Sequence, residues 1–162
     1  MNLQRKVWAA IIAPFFAVAL LSQVSVAATR WPNEEIRVGA GHPALVHFNK
    51  GAPDKPLVVF VPGSLFTARI AYGHPGSNDK DFLGYWLHSE GYSSLAVSYP
   101  IDTANPITDT VDPAFTIRDW GQQVAEIAKQ YVDENKPNGH IIVLGWSMGG
   151  IAESVNGACT GV

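Results

Sequence analysis

The chain has 162 residues, of which 47% are hydrophobic and 15% are charged, and its formal net charge at pH 7 is −3. This length allows one domain that can bury a core. The chain has slightly more acidic than basic residues and therefore lacks the net positive charge that attracts a nucleic acid, so we expect no nucleic-acid partner.

Residues 1–28 are typical of a secretory signal peptide. Two basic residues precede an apolar run at 7–21, and the small residues that follow suit cleavage after Ala28. A membrane anchor is the alternative, but the run is short for a membrane span. We therefore expect a secreted or periplasmic protein in which residues 29–162 form the domain, with no stable membrane insertion after cleavage.

Apolar runs and amphipathic stretches alternate along the rest of the chain. They predict strands at 34–38, 44–49, 57–61, 94–99 and 141–144, and helices at 79–90, 117–134 and 148–155. The first two strands, joined by a turn at 39–43, form a hairpin. Strands and helices then alternate, which predicts an α/β domain with a doubly wound, mostly parallel sheet, right-handed crossovers and helices on both faces.

Two of the predicted helices carry apolar stripes at helical spacing. In the helix at 79–90, Phe82, Tyr85 and Trp86 belong to this stripe. Thr116-Ile117-Arg118-Asp119 has the spacing of a capping box at the start of the next helix, with Asp in place of the usual Glu. Both stripes are expected to face the core.

The strand predicted at 141–144 is followed at once by Gly145-Trp146-Ser147-Met148-Gly149, a G-x-S-x-G pattern. A serine hydroxyl is a weak nucleophile and must stand clear of the backbone, where a base and a substrate carbonyl can both reach it. A sharp turn between strand and helix achieves this, and Gly145 and Gly149 tolerate the crowding it causes. A chance match is the alternative, but the preceding strand and Gly150 favour Ser147 as a nucleophile.

GWSMGG after a buried strand resembles the nucleophile elbow of the α/β-hydrolase superfamily, and the resemblance covers most of the chain after residue 33. It implies acyl transfer through Ser147 from a small-molecule ester or other acyl substrate, with no cofactor. A calcium site in the loop at 101–115 is conceivable, but the spacing of its acids, Asp102, Asp109 and Asp112, matches no EF-hand loop. We expect these acids to be solvated and expect no metal.

The same resemblance implies an oxyanion hole made of two backbone N–H groups. One belongs to Ser64, which follows Pro62-Gly63 after a predicted strand, and the other belongs to Met148, where the free N–H groups of a helix start favour a developing oxyanion. An ordinary Pro-Gly turn is the alternative for the first position. Phe66 and Trp146 would flank the site, which hints at an apolar acyl group.

The acid and the base that would complete a triad are missing from the expected places. In the resembling family they follow the serine, in that order. Glu153 is the one acid after Ser147, and all five histidines precede it, namely His42, His47, His74, His88 and His140. His140 begins the elbow strand, roughly 20 Å of extended chain from the serine. His74 is the one candidate base, because its loop is expected to leave the same sheet edge as Ser64, but we assign no histidine a role.

We therefore hypothesise that the sequence is the N-terminal part of a serine hydrolase and is nearly inactive by itself, because triad members act as a unit. The strand at 141–144 would then be an exposed apolar edge that is prone to aggregation. Cys159 is the single cysteine, and an exported protein with one thiol has a free cysteine or a partner missing from the sequence. Whether Cys159 pairs, and the oligomeric state, stay open.

Two other functions stay open. The chain could be a complete, non-catalytic exported binding protein that reuses a hydrolase half. It could also be a thioesterase, an acyltransferase or a haloperoxidase of the same fold, because a fold does not determine a reaction.

Overall fold

The computed structural model describes residues 29–102, 106–137 and 140–156, with side chains as far as Ala152. The expected signal peptide at 1–28 and Cys159 lie outside these residues, as does the side chain of Glu153. Within the described residues, no helix is both long enough and apolar enough to cross a membrane.

A five-stranded sheet organises the domain. Its strands are β1 (Glu34–Gly39), β2 (His42–Asn49), β3 (Leu57–Val61), β4 (Ser93–Ser98) and β5 (Ile141–Gly145), in the spatial order β1-β2-β4-β3-β5. β2 is antiparallel to both of its neighbours, whereas β3 is parallel to β4 and to β5. Four of the five strands therefore run in one direction, which confirms the mostly parallel sheet predicted from the sequence.

Helices cover both faces of the sheet. The α-helices are α1 (Leu83–Ser89), α2 (Ile117–Asn135) and α3 (Met148–Asn156), and two short 3₁₀ helices span Ala68–Ala71 and Asp79–Asp81. Helices α2 and α3 pack together on one face. On the other face, the N–H of Ala68 donates to the Ser98 hydroxyl (2.7 Å), which holds the first 3₁₀ helix against β4.

The main core lies between the sheet and α2. Alternate residues of each strand point toward this helix, as the two-residue period of a strand requires. The buried residues of this core include Leu57, Val59, Val61, Leu95, Val97, Trp120, Val124, Ile127, Ala128 and Tyr131. The predicted apolar face of α2 is therefore correct.

The start of α2 has the predicted capping box. The Thr116 hydroxyl accepts from the N–H of Asp119 (3.3 Å), and the Asp119 carboxylate accepts from the N–H of Thr116 (2.9 Å). The Thr116 hydroxyl also donates to the Asp119 carboxylate (2.6 Å), and this hydrogen bond together with that from the Thr116 N–H holds the pKa of Asp119 below its usual value. The helix therefore begins where its sequence satisfies the N–H groups that a helix start leaves free.

The opening hairpin is tighter than the sequence suggested. Its turn was expected at 39–43, but Gly39 already pairs with His42, so only Ala40 and Gly41 lie between the strands. Both residues have positive φ, 50° and 77°. Two consecutive left-handed residues match the twist of the flanking strands, which favours a two-residue turn and draws Pro43 into β2.

The helix expected at 79–90 is shorter, and the prediction of its buried stripe was wrong. Phe82 is extended (φ −120°, ψ 144°) and separates the 3₁₀ helix from α1. Trp86 is 53% exposed, whereas Gly84 is the buried residue of α1 and lies close to the carbonyl of Ala71. A helix that approaches its neighbour through a glycine turns its aromatic side chains outward.

β5 lies at one edge of the sheet, as expected for the last predicted strand. It pairs with β3 on one side, and Ile142 is 41% exposed. Unpaired backbone groups beside exposed apolar side chains are the usual feature of an aggregation-prone edge.

Candidate active site at the turn between β5 and α3

Ser147 lies in a very short connection between a strand and a helix. β5 ends at Gly145 and α3 begins at Met148, so only Trp146 and Ser147 lie between them. Ser147 is exposed and has a φ of 53°. A non-glycine residue in the left-handed region is strained, and such strain is concentrated at functional sites. The serine therefore lies at the tight bend that its sequence pattern predicted.

Two contacts with the end of β3 hold this bend. The N–H of Trp146 donates to the carbonyl of Val61 (3.0 Å), which extends the pairing of β5 with β3. A Cβ on Gly149 would lie 2.5 Å from the carbonyl oxygen of Pro62 and 2.6 Å from that of Val61. No side chain fits at this distance, so Gly149 lets the start of α3 approach β3. Gly145 pairs with Val61 at the end of β5.

The corner after β3 meets the bend. A Cβ on Gly63 would lie 3.0 Å from the Cβ of Ser147 and 3.3 Å from the Trp146 ring. The corner closes in a turn, with the N–H of Phe66 donating to the carbonyl of Gly63 (3.3 Å) and Leu65 at a φ of 67°. The structure therefore brings together the two segments that the sequence singled out separately.

The backbone N–H groups of Ser64 and Met148 were the two predicted oxyanion-hole donors. Neither N–H group has an acceptor among the described residues. Met148 is the first residue of α3, where the N–H groups have no acceptor within the helix. Each segment therefore has a free N–H donor at the end of the sheet where Ser147 lies.

Sequence reasoning missed Tyr99, which holds this corner from the next strand. The N–H of Leu65 donates to the Tyr99 hydroxyl (2.8 Å), and the ring of Tyr99 packs on that of Trp120 with centroids 4.3 Å apart. Burial raises the pKa of Tyr99, although the hydrogen bond from Leu65 opposes this rise. The sequence shows an aromatic residue directly after β4, but nothing in it indicates that this residue contacts Leu65.

Apolar side chains surround the bend. The rings of Phe66 and Trp146 meet edge to face, with centroids 5.0 Å apart, and each ring is almost half exposed. Leu65 and Met148 are also exposed. The two aromatic residues expected to flank the serine are therefore in contact beside it.

None of the five histidines accompanies Ser147. His42 contacts Phe115 and lies on β2, so β4 and β3 separate it from β5. His140 directly precedes β5, at the opposite end of that strand from the serine. His88 is exposed on α1, and His47 stacks on Tyr72 on the other face of the sheet.

The loop of His74 leaves the sheet edge where Ser64 lies, as expected, but His74 itself lies far from that edge and is wrong as a candidate base. The chain turns back over the sheet through the 3₁₀ helix Ala68–Ala71, and His74 reaches Trp31 and the cleft beside His47 and Asn49. Asn49 pairs with Ser94 near the start of β4, whereas the candidate site lies at the opposite ends of the parallel strands. The described histidines therefore offer no base to this site.

The described residues also contain no group of three or more His, Cys, Asp or Glu side chains that could hold a metal ion. Among the loop acids, Asp102, Asp109 and Asp112 are exposed. The Asp112 carboxylate accepts from the N–H of Ala114 (2.8 Å), so this acid caps a local turn.

Comparison with known proteins gives a likeness in structure only. No family model and no curated protein sequence matches the chain. An alpha-beta serine hydrolase homologue from Coxiella burnetii has a TM-score of 0.51 and 9% identity, over 78% of this chain and 57% of that one. An AqdC variant, solved with its substrate in a study of ring cleavage of the Pseudomonas quinolone signal, has a TM-score of 0.50 and 13% identity, over 75% and 39%.

Epoxide hydrolase VrEH1 from Vigna radiata matches with a TM-score of 0.48 and 19% identity, over 77% of this chain and 34% of its own. The chain thus spans between about a third and somewhat more than half of the length of these three proteins. At these identities the likeness shows the fold alone. The chain has a part of the α/β-hydrolase fold, with Ser147 between β5 and α3.

Proposed function

We propose that this chain carries the nucleophile part of a serine-hydrolase active site, which acts by acyl transfer on a small-molecule ester. The observation that carries the proposal is the conformation of Ser147, an exposed serine with positive φ in a two-residue connection between strand and helix. Such a connection leaves the hydroxyl accessible to a substrate carbonyl and to a base.

In this proposal the N–H groups of Ser64 and Met148 bind the oxyanion of the tetrahedral intermediate. Their support is the contact between Gly63 and Ser147, together with the absence of other acceptors for the two donors among the described residues. Fixed donors of this kind stabilise charge that develops in the transition state and do not have to reorganise. Tyr99 positions the corner through its hydrogen bond with Leu65.

The acyl group of the substrate is proposed to be apolar. The paired rings of Phe66 and Trp146 offer a half-exposed aromatic wall beside the nucleophile. Burial of an apolar acyl chain against these rings would recover part of the free energy that their exposure costs.

The general base and the acid that orients it are proposed to be supplied by residues other than those of this chain. The five histidines lie on other elements or at the far end of the sheet. Without a base, acyl transfer by Ser147 would be very slow, because the triad members act together.

The same observation favours a second candidate function, a binding protein without catalysis. A fold with a strained, exposed serine and no neighbouring histidine could bind an acyl compound in the aromatic corner and release it unchanged.

Export is a further part of the proposal, and its support is the pattern at residues 1–28. Sequencing the mature N-terminus tests export, and we expect Thr29 as the first residue.

A fluorophosphonate probe tests the catalytic proposal, with free imidazole as an external base. We expect slow modification of Ser147 that accelerates with imidazole concentration, measured by intact mass and peptide mapping. The Ser147→Ala variant is the first comparison, and the exposed Ser89 of α1 within the parent chain is the second. We expect imidazole to accelerate modification neither of the Ser147→Ala variant nor of Ser89.

Three outcomes are informative. If Ser147 reacts no faster than Ser89 with imidazole present, the nucleophile assignment is wrong and the binding function is favoured. Rapid labelling without imidazole would show that a base lies within the chain, and His42→Ala, His74→Ala and His88→Ala would then locate it. Imidazole-dependent labelling at Ser147 supports the proposal as stated.

A further inference from the structure

A cleft lies far from Ser147, in a part of the molecule that the proposed function does not use. It has a volume of about 460 Å³ and lies on the face of the sheet that carries α1, between residues 31–33 before β1, the end of β2, the loop at 72–75 and α1. Its wall includes His47 and Asn49 of β2, which pair with Ala96 and Ser94 of β4. Ser147 lies beyond the opposite end of these strands, so the cleft is separate from the candidate active site.

Aromatic rings form much of its wall. Trp31, Tyr72 and Tyr85 line the cleft, and the ring of Tyr72 is fixed by a stack against His47 (centroids 4.0 Å apart, interplanar angle 9°). The Trp31 ring contacts Tyr72 edge to face (6.5 Å). These contacts preform the wall, which is the usual condition of a small-molecule site.

A buried ion pair behind the wall holds its rings in place. The Arg69 guanidinium lies 3.7 Å from the centroid of the Trp31 ring and donates to both carboxylate oxygens of Glu34 (2.8 Å each). The Tyr72 hydroxyl donates to the same carboxylate (2.6 Å). Burial alone would raise the pKa of Glu34, but these hydrogen bonds outweigh burial and lower it. The positive charge of Arg69 is therefore neutralised by Glu34 and is not available to a ligand in the cleft.

Several polar side chains that line the cleft have no hydrogen-bond partner among the described residues. They are the Asn49 amide, the Asp79 carboxylate, the Tyr85 hydroxyl and the imidazoles of His47 and His88. Together they offer donors and acceptors from two directions, because Asn49 and His47 lie on the sheet while Tyr85 and His88 lie on α1.

We propose that this cleft binds a neutral sugar, one or two rings in size. A sugar ring has an apolar C–H face that packs on aromatic rings and hydroxyls that hydrogen-bond to amide, carboxylate and imidazole groups. The volume of the cleft lies within the ordinary range for small-molecule sites. The proposal is independent of the chemistry at Ser147.

The charges and polar groups of the cleft disfavour other ligand classes. An anion finds no lysine or arginine in the wall, and Arg69 behind the wall is paired with Glu34. A purely apolar ligand would desolvate the unpaired polar groups without replacing their hydrogen bonds, which costs free energy for each group. A cation finds a single carboxylate in the wall, that of Asp79.

Fluorine NMR of the chain labelled with 5-fluorotryptophan tests the proposal. Trp31→Phe identifies the Trp31 resonance by its loss, and cellobiose and maltose serve as the probes. We expect one of the two sugars to shift the Trp31 resonance in a saturable way at millimolar concentration, while the resonances of Trp120 and Trp146 stay unchanged. Asn49→Ala and His88→Ala should each weaken this binding roughly fivefold, as expected for one lost hydrogen bond.

His140→Ala is the matched control, because it removes an exposed histidine outside the cleft, and it should bind like the parent chain. Benzyl alcohol and choline chloride are the comparison ligands. The proposal is overturned if neither sugar moves the Trp31 resonance up to its solubility limit, or if benzyl alcohol or choline moves it and the sugars do not. A sugar-induced shift that His140→Ala weakens as much as His88→Ala would also overturn it.

Discussion

Gly63 and Ser147 touch across the gap between two strand ends: a Cβ placed on Gly63 would come within 3.0 Å of the Cβ of Ser147. The two residues are 84 positions apart in the sequence, and each belongs to a segment that follows a parallel strand. β3 and β5 are neighbours in the sheet and end at the same edge, so the residues that follow them converge. This contact is what makes the serine and the corner one site.

The close approach at Gly149 predicts a large difference between two adjacent glycines. Gly149→Ala would place a methyl group 2.5 Å from the Pro62 carbonyl oxygen, so we expect the free energy of unfolding to fall by about 3 kcal/mol. Gly150→Ala meets nothing within 4 Å and should raise it by up to about 1 kcal/mol, because alanine favours a helix. Urea unfolding followed by circular dichroism measures both. Equal effects would show that α3 does not rest on β3.

The positive φ of Ser147 predicts that this residue destabilises the fold. Ser147→Gly should be more stable than Ser147→Ala by about 1 kcal/mol, because glycine adopts the left-handed region without strain whereas alanine does not. Both variants lack the hydroxyl, so their comparison isolates the backbone. Thermal and urea unfolding provide the measurement. If the alanine variant is equally stable or more so, the bend is not strained.

Gln123 is expected to support the opening hairpin from α2. Its Nε2 donates to the carbonyls of His42 (3.0 Å) and Pro43 (3.1 Å), and the side chain is buried. Gln123→Ala would remove both hydrogen bonds and leave a cavity, so we expect a loss of about 2–3 kcal/mol in the free energy of unfolding. The neighbouring Gln122 is exposed, and its side chain donates to the exposed Glu126 (2.8 Å), so Gln122→Ala should change the free energy of unfolding by less than about 0.5 kcal/mol. Similar losses in the two variants would contradict this role.

The stack of His47 on Tyr72 predicts a dependence of stability on pH. Burial lowers the pKa of His47 from its usual 6.5, although the nearby Glu34 carboxylate opposes this. The neutral imidazole is therefore favoured in the folded state, and its contribution is fully present above pH 6.5 and lost as the pH falls through the lowered pKa. We expect the free energy of unfolding to fall over this interval.

His47→Gln should reduce that fall, since glutamine does not titrate and the other histidines remain. Urea unfolding at a series of pH values, with both chains in the same buffers, provides the comparison. The slope is the relevant quantity, because the substitution also removes the stack and lowers stability at every pH. Unchanged slopes would assign the pH dependence to other groups.

Local sequence was sufficient wherever one segment satisfied its own backbone. The range of β3 agrees with the predicted one, and the capping box of Thr116 and Asp119 has the expected hydrogen bonds. The bend at Ser147 also followed from neighbouring residues, since a buried strand, two glycines and a helix start all lie within a dozen positions. Periodicity failed for α1, where packing through Gly84 against the first 3₁₀ helix turned Tyr85 and Trp86 outward.

The sequence by itself determined the kinds of elements, their order and the serine at a sharp turn, because these depend on patterns of adjacent residues. Tertiary structure alone decided which distant groups meet: Gly63 with Ser147, Leu65 with Tyr99, and His74 with the cleft rather than the candidate site. These contacts depend on strand order and on the path of each connection across the sheet. That path follows from packing free energies summed over the whole domain, which no local pattern records.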